Sequence, residues 1–482
     1  ETLTVSLRED TQMLDEVVAI GYGVQRKSDL TGSVSSVNPD GLKSLPATNV
    51  IAAMQGKVSG VEIVQNSGAP GASNSIRIRG MGTVNDSDPL YVVDGIMMDN
   101  IDHIAVDDIA SIEVLKDAAS AAIYGSRAAN GVVLLTTKSG EKSSKRLNIS
   151  ASIAGGFMKV ANAPDILSPA DFARFSDYVH NANEYTAIAP DGSMVLTDAA
   201  QAEVADGNDW WKQATRTGFN GKASVALSGG DKNLNYYVSG NYLKSNGIVK
   251  QSGYERISVN AKINSRLADC LKLGVQAAYS RENRDEVSEG NRGVIKSAIT
   301  YNPLMPVNDL DGGYTYLTPV ENLRRLSYEK NIDKFTGQVK LDWNIIKSLQ
   351  FSTRASYMMT RSDVDRMERN RASEEVIGTN SFVVRKNPIR TNTFGWDNIL
   401  TWMPEFKNDH SLTVMVGQTM EIYRINSLSS SGTGYGGYDD EFNSLGFAAF
   451  EQATGSSSSG YTSLGLLSRV SYSFMNRYLL QV

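Results

Sequence analysis

A chain of 482 residues exceeds what one hydrophobic core usually serves, so two or more domains, or one large barrel, are expected. Its 47 Lys and Arg against 53 Asp and Glu leave a net charge of -6, which gives no electrostatic case for binding DNA or RNA. A lone cysteine, Cys270, excludes a disulfide framework or a thiolate metal site, and His103, His180 and His410 show none of the spacings of metal-binding helices.

No uninterrupted apolar window is long enough for a transmembrane helix, which leaves a membrane barrel open, because a barrel strand shows lipid only every second residue. Cys270 is expected as a buried, inert thiol. The chain starts at Glu1 with neither Met nor signal peptide, so targeting information is expected to lie outside it.

The first segment, "ETLTVSLRED", ends at Asp10, and "LDEVVAIGYG", Leu14 to Gly23, follows it closely. Within the latter, "EVVAI" is apolar and strand-prone, able to add an edge to a partner's sheet. Up to about Gly140 short apolar runs, glycine turns and a helical stretch from Asp117 to Tyr124 alternate as in a small α+β domain. Gly80, Gly82, Gly95, Gly125 and Gly131 are expected at turns.

After Lys145 the texture changes. In "RISVNAKINS", Ile257, Val259, Ala261 and Ile263 oppose Ser258, Asn260, Lys262 and Asn264. Such period-two segments lie near 147–157, 219–229, 234–243, 256–267, 271–283, 334–345, 349–361, 391–403, 410–424 and 465–475, and "RYLLQV" starts another. Alternation alone does not separate a soluble sandwich from a membrane barrel. The connections favour the barrel: tight turns such as "GGDKN", "ADC" and "IKS" interleave with long stretches at 158–218, 284–333, 362–390 and 425–464. An antiparallel meander whose ends face different compartments has this pattern, short on the periplasmic side and long outside. Trp343, Tyr357, Trp402, Tyr423 and Tyr478 near segment ends are expected in the aromatic girdles. Lipid cannot satisfy an open edge, so the given strands are expected to form part of a larger barrel.

Residues 54–83, "MQGKVSGVEIVQNSGAPGASNSIRIRGMGT", with "PLYVVDG" and "DDIASIEVLKDAASAAIYGSRAANGVVLLTTKSG", residues 107–140, closely resemble the plug domain of TonB-dependent outer-membrane transporters, in detail the SusC/RagA branch of Bacteroidetes-type bacteria. The resemblance implies a large antiparallel all-β transmembrane barrel, incomplete in this chain, with an N-terminal α+β plug inside its lumen. It divides the chain into residues 1–13, the end of a preceding regulatory-like domain; 14–24, a TonB box; 25–140, the plug; and 145–482, the N-terminal part of the barrel, about ten strands and the start of an eleventh. The box would offer Asp15, Glu16, Val17, Val18, Ala19 and Ile20 to the TonB–ExbB–ExbD complex. Arg77, Arg79 and Arg127 are expected to anchor plug to barrel, alternation aiming the first two to one side of a strand. The family places cargo against the loop after the "RG" strand and the bend after "VDG", here Thr83, Asn85, Asp86, Ser87 and Asp88, with Asp99 and Asn100.

No phosphate-binding loop, catalytic constellation or cofactor site accompanies these motifs; "DLDGG", residues 309–313, lacks the later acidic ligand of a calcium loop. The resemblance therefore implies a transporter, not an enzyme, importing an oligomeric nutrient, glycan or peptide, with a SusD-like surface lipoprotein as partner and outer-membrane lipid around it. The alternatives are a siderophore or vitamin receptor on the same machinery, or a non-transporting adhesin. Loop aromatics Trp210, Trp211, Tyr435 and Tyr438 suit either stacking on sugars or packing of the loops.

Overall fold

A short hairpin comes first among the described residues, β1 (Val17–Ile20) against β2 (Gly23–Arg26), with Val17 opposite Arg26. The computed structural model describes residues 17–20, 23–26, 34–43, 47–80, 82, 87–140, 147–180, 184–190, 193–290, 293–305, 318–369, 382–406, 409–433, 444–448, 450–475 and 477–482.

Seven strands follow: β3 (Val34–Val37), β4 (Val61–Gln65), β5 (Asn74–Ile78), β6 (Leu90–Val93), β7 (Ile96–Met98), β8 (Ile109–Leu115) and β9 (Val132–Thr137). Five form one mixed sheet in the order β3-β8-β9-β6-β7, while β4 and β5 pair separately. The continuous apolar runs of β6 and β9 have a direct cause. Tyr91, Val93, Val133 and Leu135 join a core with Ile76, Ile101 and Ile112 on one face. Leu90, Val92, Val132 and Leu134 pack with Leu115, Tyr124 and Ala128 on the other. A strand buried on both faces loses its alternation. Between β6 and β7, Asp94 and Gly95 turn with φ of 50 and 88, the positive pair that a tight hairpin requires. The helical stretch proves composite: Ala118–Ala121 is α-helical, capped by the Asp117 carboxylate on Ser120 N at 2.8 Å, and a 3-10 stretch Ala122–Ala128 breaks at Gly125, φ 68.

The rest is wall. Strand β10 (Asn148–Met158) precedes a small hairpin, β11 (Thr186–Ile188) and β12 (Met194–Leu196), within the first long connection. Then come β13 (Gly218–Gly230), β14 (Leu234–Asn246), β15 (Gly253–Ala268), β16 (Leu271–Glu286), β17 (Leu326–Ile346) and β18 (Leu349–Arg369). They are followed by β19 (Phe382–Lys386), β20 (Ile389–Trp402), β21 (His410–Thr433), β22 (Phe450–Phe474) and β23 (Tyr478–Gln481). All pairings in the wall are antiparallel, from β10-β13 to β22-β23. Both β19 and β20 pair with β18 and β21, so they are one strand position interrupted at Pro388, which has no ladder donor. Among the described residues the wall is an open arc edged by β10 and β23.

The side chains show which way the wall faces. On β15 Ile257, Val259 and Ile263 are 48%, 47% and 43% exposed, while Arg256, Ser258 and Asn260 beside them are buried. Apolar residues outside and polar residues inside invert a soluble barrel and match a membrane one. On β18 the outward series from Leu349 to Met359 spans about 33 Å along the strand and, tilted by about 40°, roughly 25 Å in height, the thickness of an apolar band. Beyond it outward positions become charged or amide: Arg281, Asp333, Arg361, Asn392 and Arg424 on successive strands. Tyr279 and Tyr357 sit at that boundary with hydroxyls donating to Asp333 Oδ1 at 2.5 Å and Asn392 Oδ1 at 2.8 Å. Trp343, Trp402 and Tyr478 mark the tight-turn side, all exposed.

Two expectations fail. Tyr423 is not in a girdle: it shares the inward face of β21 with Glu421 and stacks on Tyr461, ring centroids 5.1 Å apart. Cys270 is exposed, because it lies in the two-residue turn between β15 and β16. The strands also run further outward than the alternating segments, since above the lipid both faces meet water and the apolar member disappears. No helix among the described residues is long and apolar enough to cross a membrane.

Candidate functional site

The small sheet sits inside the arc, and the turn at Asp94 is where it is held most closely. Inward side chains of successive wall strands converge there. Lys262 Nζ of β15 lies 2.8 Å from Asp94 Oδ1, Gln276 Nε2 of β16 donates to Oδ2 at 2.8 Å, and Gln338 Nε2 of β17 donates to the Asp94 carbonyl at 3.4 Å. From the domain itself Thr137 donates its hydroxyl at 2.5 Å and its amide at 3.1 Å. Burial pushes the Asp94 carboxyl up, but Lys262 and these donors outweigh it and hold the group below the usual carboxylate range. On β18, Arg354 Nη2 pairs with Asp397 at 2.6 Å, and its guanidinium fills the space over Gly95, where a Cβ would meet Nη1 at 1.7 Å.

A second cluster lies nearer the long-loop side. Asn100 Nδ2 donates to Asp102 Oδ2 at 2.7 Å, and its Oδ1 accepts from Asp102 N at 2.9 Å and from Lys334 Nζ at 3.2 Å. Arg256 donates to the Asp102 carbonyl, and Glu282 pairs with Arg284 at 2.7 Å alongside. Burial, then the charges of Lys334 and Arg256, push His103 well below its ordinary range, so it is neutral. Asp108 accepts from Tyr237 Oη and Asn241 Nδ2, both at 2.9 Å, yet burial keeps its carboxyl above the usual value. At the outer rim Gly71, φ 73, lies under the Tyr254 ring, where a Cβ would come within 2.4 Å.

Arg127 forms the third contact. Its Nη1 lies 2.9 Å from Glu421 Oε1 on β21 and its Nη2 3.3 Å from Asp99. Tyr461 Oη donates to the same Glu421 carboxylate. Arg127, Glu421 and Tyr461 border a cavity of about 810 Å³ between the small domain and the inner faces of β20, β21 and β22.

The other expected anchors lie differently. Arg77 is half-buried on β5 opposite Glu62, with its Nε lacking a hydrogen-bond partner among the described residues. Strand β5 ends at Ile78, so alternation does not reach Arg79, which turns away exposed with φ 56. Of the loop residues, Thr83, Asn85 and Asp86 lie outside the described residues. Ser87 and Asp88 precede β6 and Asp99 and Asn100 follow β7, so both pairs lie toward the same end of the hairpin, where register pairs Tyr91 with Met98. Asp99 is exposed and paired with Arg127, whereas Asn100 is engaged by Asp102 and Lys334. Asp15 and Glu16 lie outside the described residues; Val17, Val18, Ala19 and Ile20 form β1, which among the described residues pairs on one edge alone. Trp210 is buried in a loop core with Val294 and Leu323, its Nε1 donating to Asn302 O at 3.0 Å, so it packs the loops. Tyr435, Tyr438 and "DLDGG" lie outside the described residues, and among those described no acidic, His or Cys group is arranged to hold a metal.

Sequence reasoning missed Asp94, Lys262, Gln276, Glu421 and Tyr461. The parity of Lys262, Gln276 and Glu421 was readable, since each stands between outward apolar residues, whereas Tyr461 lies between Gly460 and Thr462 and carries no such mark; the partner across the lumen has no local signal for any of them.

A family model for the TonB-dependent receptor plug domain matches residues 26–132. TonB-dependent receptor P26 of Formosa agariphila is 33% identical over 99% of this chain and 48% of its own length. TonB-dependent receptor SusC of Bacteroides thetaiotaomicron is 30% identical over 99% of this chain and 49% of its own. This chain thus spans about half the length of these curated relatives. Among solved structures, the RagAB peptide importer in its open-open state superposes with a TM-score of 0.80 at 23% identity, over 97% of this chain and 55% of that one. The unliganded ferric citrate transporter FecA gives 0.59 at 11% identity, over 92% and 54%.

Proposed function

Because this chain belongs among the SusC/RagA-type TonB-dependent receptors of the bacterial outer membrane, we propose that it imports an oligomeric nutrient, glycan or peptide, through the lumen that its plug occupies. In this reading the TonB–ExbB–ExbD complex engages residues 15–20 and supplies the energy, and a SusD-like lipoprotein delivers cargo to the outer mouth. Cargo meets the plug at residues 83–88 and 99–100, with Arg127 at the adjoining cavity. The observation that carries the reading is how the plug is held. Its main ties to the wall are the hydrogen bonds and ion pairs of Asp94, Asp102, Asp108 and Arg127. Such bonds exchange for water one at a time, at a small net cost each, so a pulled plug can leave without tearing open an apolar interface. The edge of β1 that no described strand pairs suits strand addition by a partner. The peptide-importing RagAB, which shares the fold, keeps peptides within the cargo class considered.

The test is growth of a deletion strain on a panel of purified polysaccharides and protein digests, followed by complementation with Val18→Pro. Proline removes an amide donor from the coupling strand. Val18→Pro is expected to bind the identified cargo at the cell surface and not to support growth on it. Normal growth of that variant refutes TonB coupling, and loss of growth under iron limitation alone replaces nutrient import by siderophore uptake.

A further inference from the structure

Ahead of the plug, β1 and β2 form a complete small ladder: Val17 pairs with Arg26, Val18 with Gln25, Ala19 with Val24 and Ile20 with Gly23. Only Gly21 and Tyr22 separate the two strands. A connection of two residues makes the closing pair, Ile20 and Gly23, one that exchanges both backbone hydrogen bonds, and along an antiparallel ladder such pairs alternate with pairs that exchange none. The direction of each backbone group follows. Val18 and Ile20 turn their N–H and C=O groups toward Gln25 and Gly23, whereas Val17 and Ala19 turn theirs to the other edge of β1, which no described strand pairs. On β2 the division is the same: Gly23 and Gln25 face β1, and Val24 and Arg26 face away.

From this we infer that β2, through the backbone of Gly23 and Gln25, is a template that holds the coupling segment extended, and that Val17 and Ala19 are the residues whose backbone groups take TonB's strand. The inference rests on the reading that TonB engages residues 15–20, and it adds positioning residues that lie outside them. A strand already paired on one side can add a partner only on the other, so the ladder to β2 leaves Val17 and Ala19 to form the new rungs. Sequence favours the edge of β1 over that of β2. The former is the uncharged apolar run Val-Val-Ala-Ile, whereas the latter carries Gly23 and Arg26, residue types that weaken a strand or guard an edge against pairing. Fixing the backbone of an isolated strand opposes its capture, and pairing with β2 meets part of that cost before TonB arrives. A two-stranded hairpin is only marginally stable in water, so a third strand consolidates it, and whatever weakens β2 weakens the capture of β1.

The test uses the protein purified from outer membranes in mild detergent and the purified periplasmic domain of TonB from the same cells, with binding read by titration calorimetry and heat-modifiable gel mobility reporting the folded barrel. Proline at two neighbouring positions of β2 separates the outcomes, because neither changes residues 15–20. Gln25→Pro removes the donor that faces Val18 and is expected to weaken TonB binding about tenfold. Val24→Pro removes a donor that faces away from β1, which an edge strand tolerates, and is expected to bind within about twofold of the parent. Val18→Pro breaks the same rung from the other side and also fixes φ near about −65° in the middle of the strand, so it is the harsher variant. Parent-like binding by Gln25→Pro overturns the template, and so does equal weakening by the two β2 variants. Tighter binding by Gln25→Pro makes β2 a competitor of TonB, and weakening by Val24→Pro alone moves the partner to the edge of β2; each overturns the inference while TonB coupling stands. Absence of binding by the parent refutes the coupling reading and the inference with it. Hydrogen exchange of the free protein gives a second reading: corrected for intrinsic rates, the amides of Val18 and Ile20 should exchange at least about threefold more slowly than those of Val17 and Ala19. Equal or reversed rates overturn the assignment of edges.

Discussion

Replacing Asp94 with Asn tests how the plug is locked. Asparagine keeps the size of the side chain and tolerates the positive φ of the turn, so the loss is electrostatic. Asp94 and Lys262 are 7% and 16% exposed at 2.8 Å, which makes them a buried pair. Removing one partner of such a pair leaves the other charge uncompensated and costs about 3–5 kcal/mol. Taking the lower figure, because Gln276 and Thr137 can still bond the amide oxygen, docking of the hairpin weakens by about 3 kcal/mol. Hydrogen exchange reads this directly: amides of Leu90–Val93 and Val132–Thr137 should exchange about a hundredfold faster in the variant. Adding Lys262→Met, which removes the orphaned ammonium, should recover most of the protection. Acid supplies a second reading. Lys262, with the donors Thr137 and Gln276, faces a carboxyl held below its ordinary value, so its contribution is complete above about pH 4, the unfolded value, and is lost as pH falls through the depressed folded one. The parent should therefore lose plug protection in acid more steeply than Asp94→Asn. Exchange in Val132–Thr137 that changes by less than about threefold would refute the lock.

Three further outcomes are expected. Ile263→Arg, at an outward position in the middle of the apolar band, should cost about 2–4 kcal/mol in unfolding titrations in lipid and lower the inserted yield. Gly95→Ala should loosen the plug by about 1–3 kcal/mol, read as faster limited proteolysis between residues 87 and 107, because the new methyl meets the Arg354 guanidinium at positive φ. With purified cargo, Ala substitutions at Asn85, Asp86 and Asp99 should weaken binding about fivefold to tenfold each by titration calorimetry. Asn100→Ala should in addition speed exchange near Asp102, since Asn100 also holds Lys334; unchanged binding in all four variants moves the cargo site to the wall and external loops.

The wall was legible wherever lipid disciplines the sequence. Along β15 each outward residue must be apolar, and the alternation of Ile257, Val259 and Ile263 with polar neighbours declares both strand and orientation. Where β22 rises above the lipid, "TGSSSSG" is strand with water on both faces and carries no such mark. Tyr423 was misread by its place near a segment end; counting parity from Met420 and Ile422 would have sent it inward. The plug announced itself through its motifs, but its lock did not. Asp94 and Lys262 are separated by 168 residues, and nothing near either one names the other.

The order of strands in the plug sheet has a mechanical meaning. Strand β3 is an edge, joined to β8 by a ladder running only from Val34 opposite Leu115 to Val37 opposite Ile112, and it is the plug-sheet strand nearest the N-terminal segment. A pull arriving through that segment reaches β3 first and meets it as a zipper, one rung at a time. Each rung frees roughly 7 Å of slack for a net cost of about 1 kcal/mol, which corresponds to a force on the order of 10 pN. The hairpin carrying Asp94 is the opposite edge, with β8 and β9 between. The sheet is therefore graded along its width: it yields at low load where traction enters and stays moored to the wall at the far side, so extraction can stop partway and the remaining strands keep a template on which β3 re-forms when the load is released.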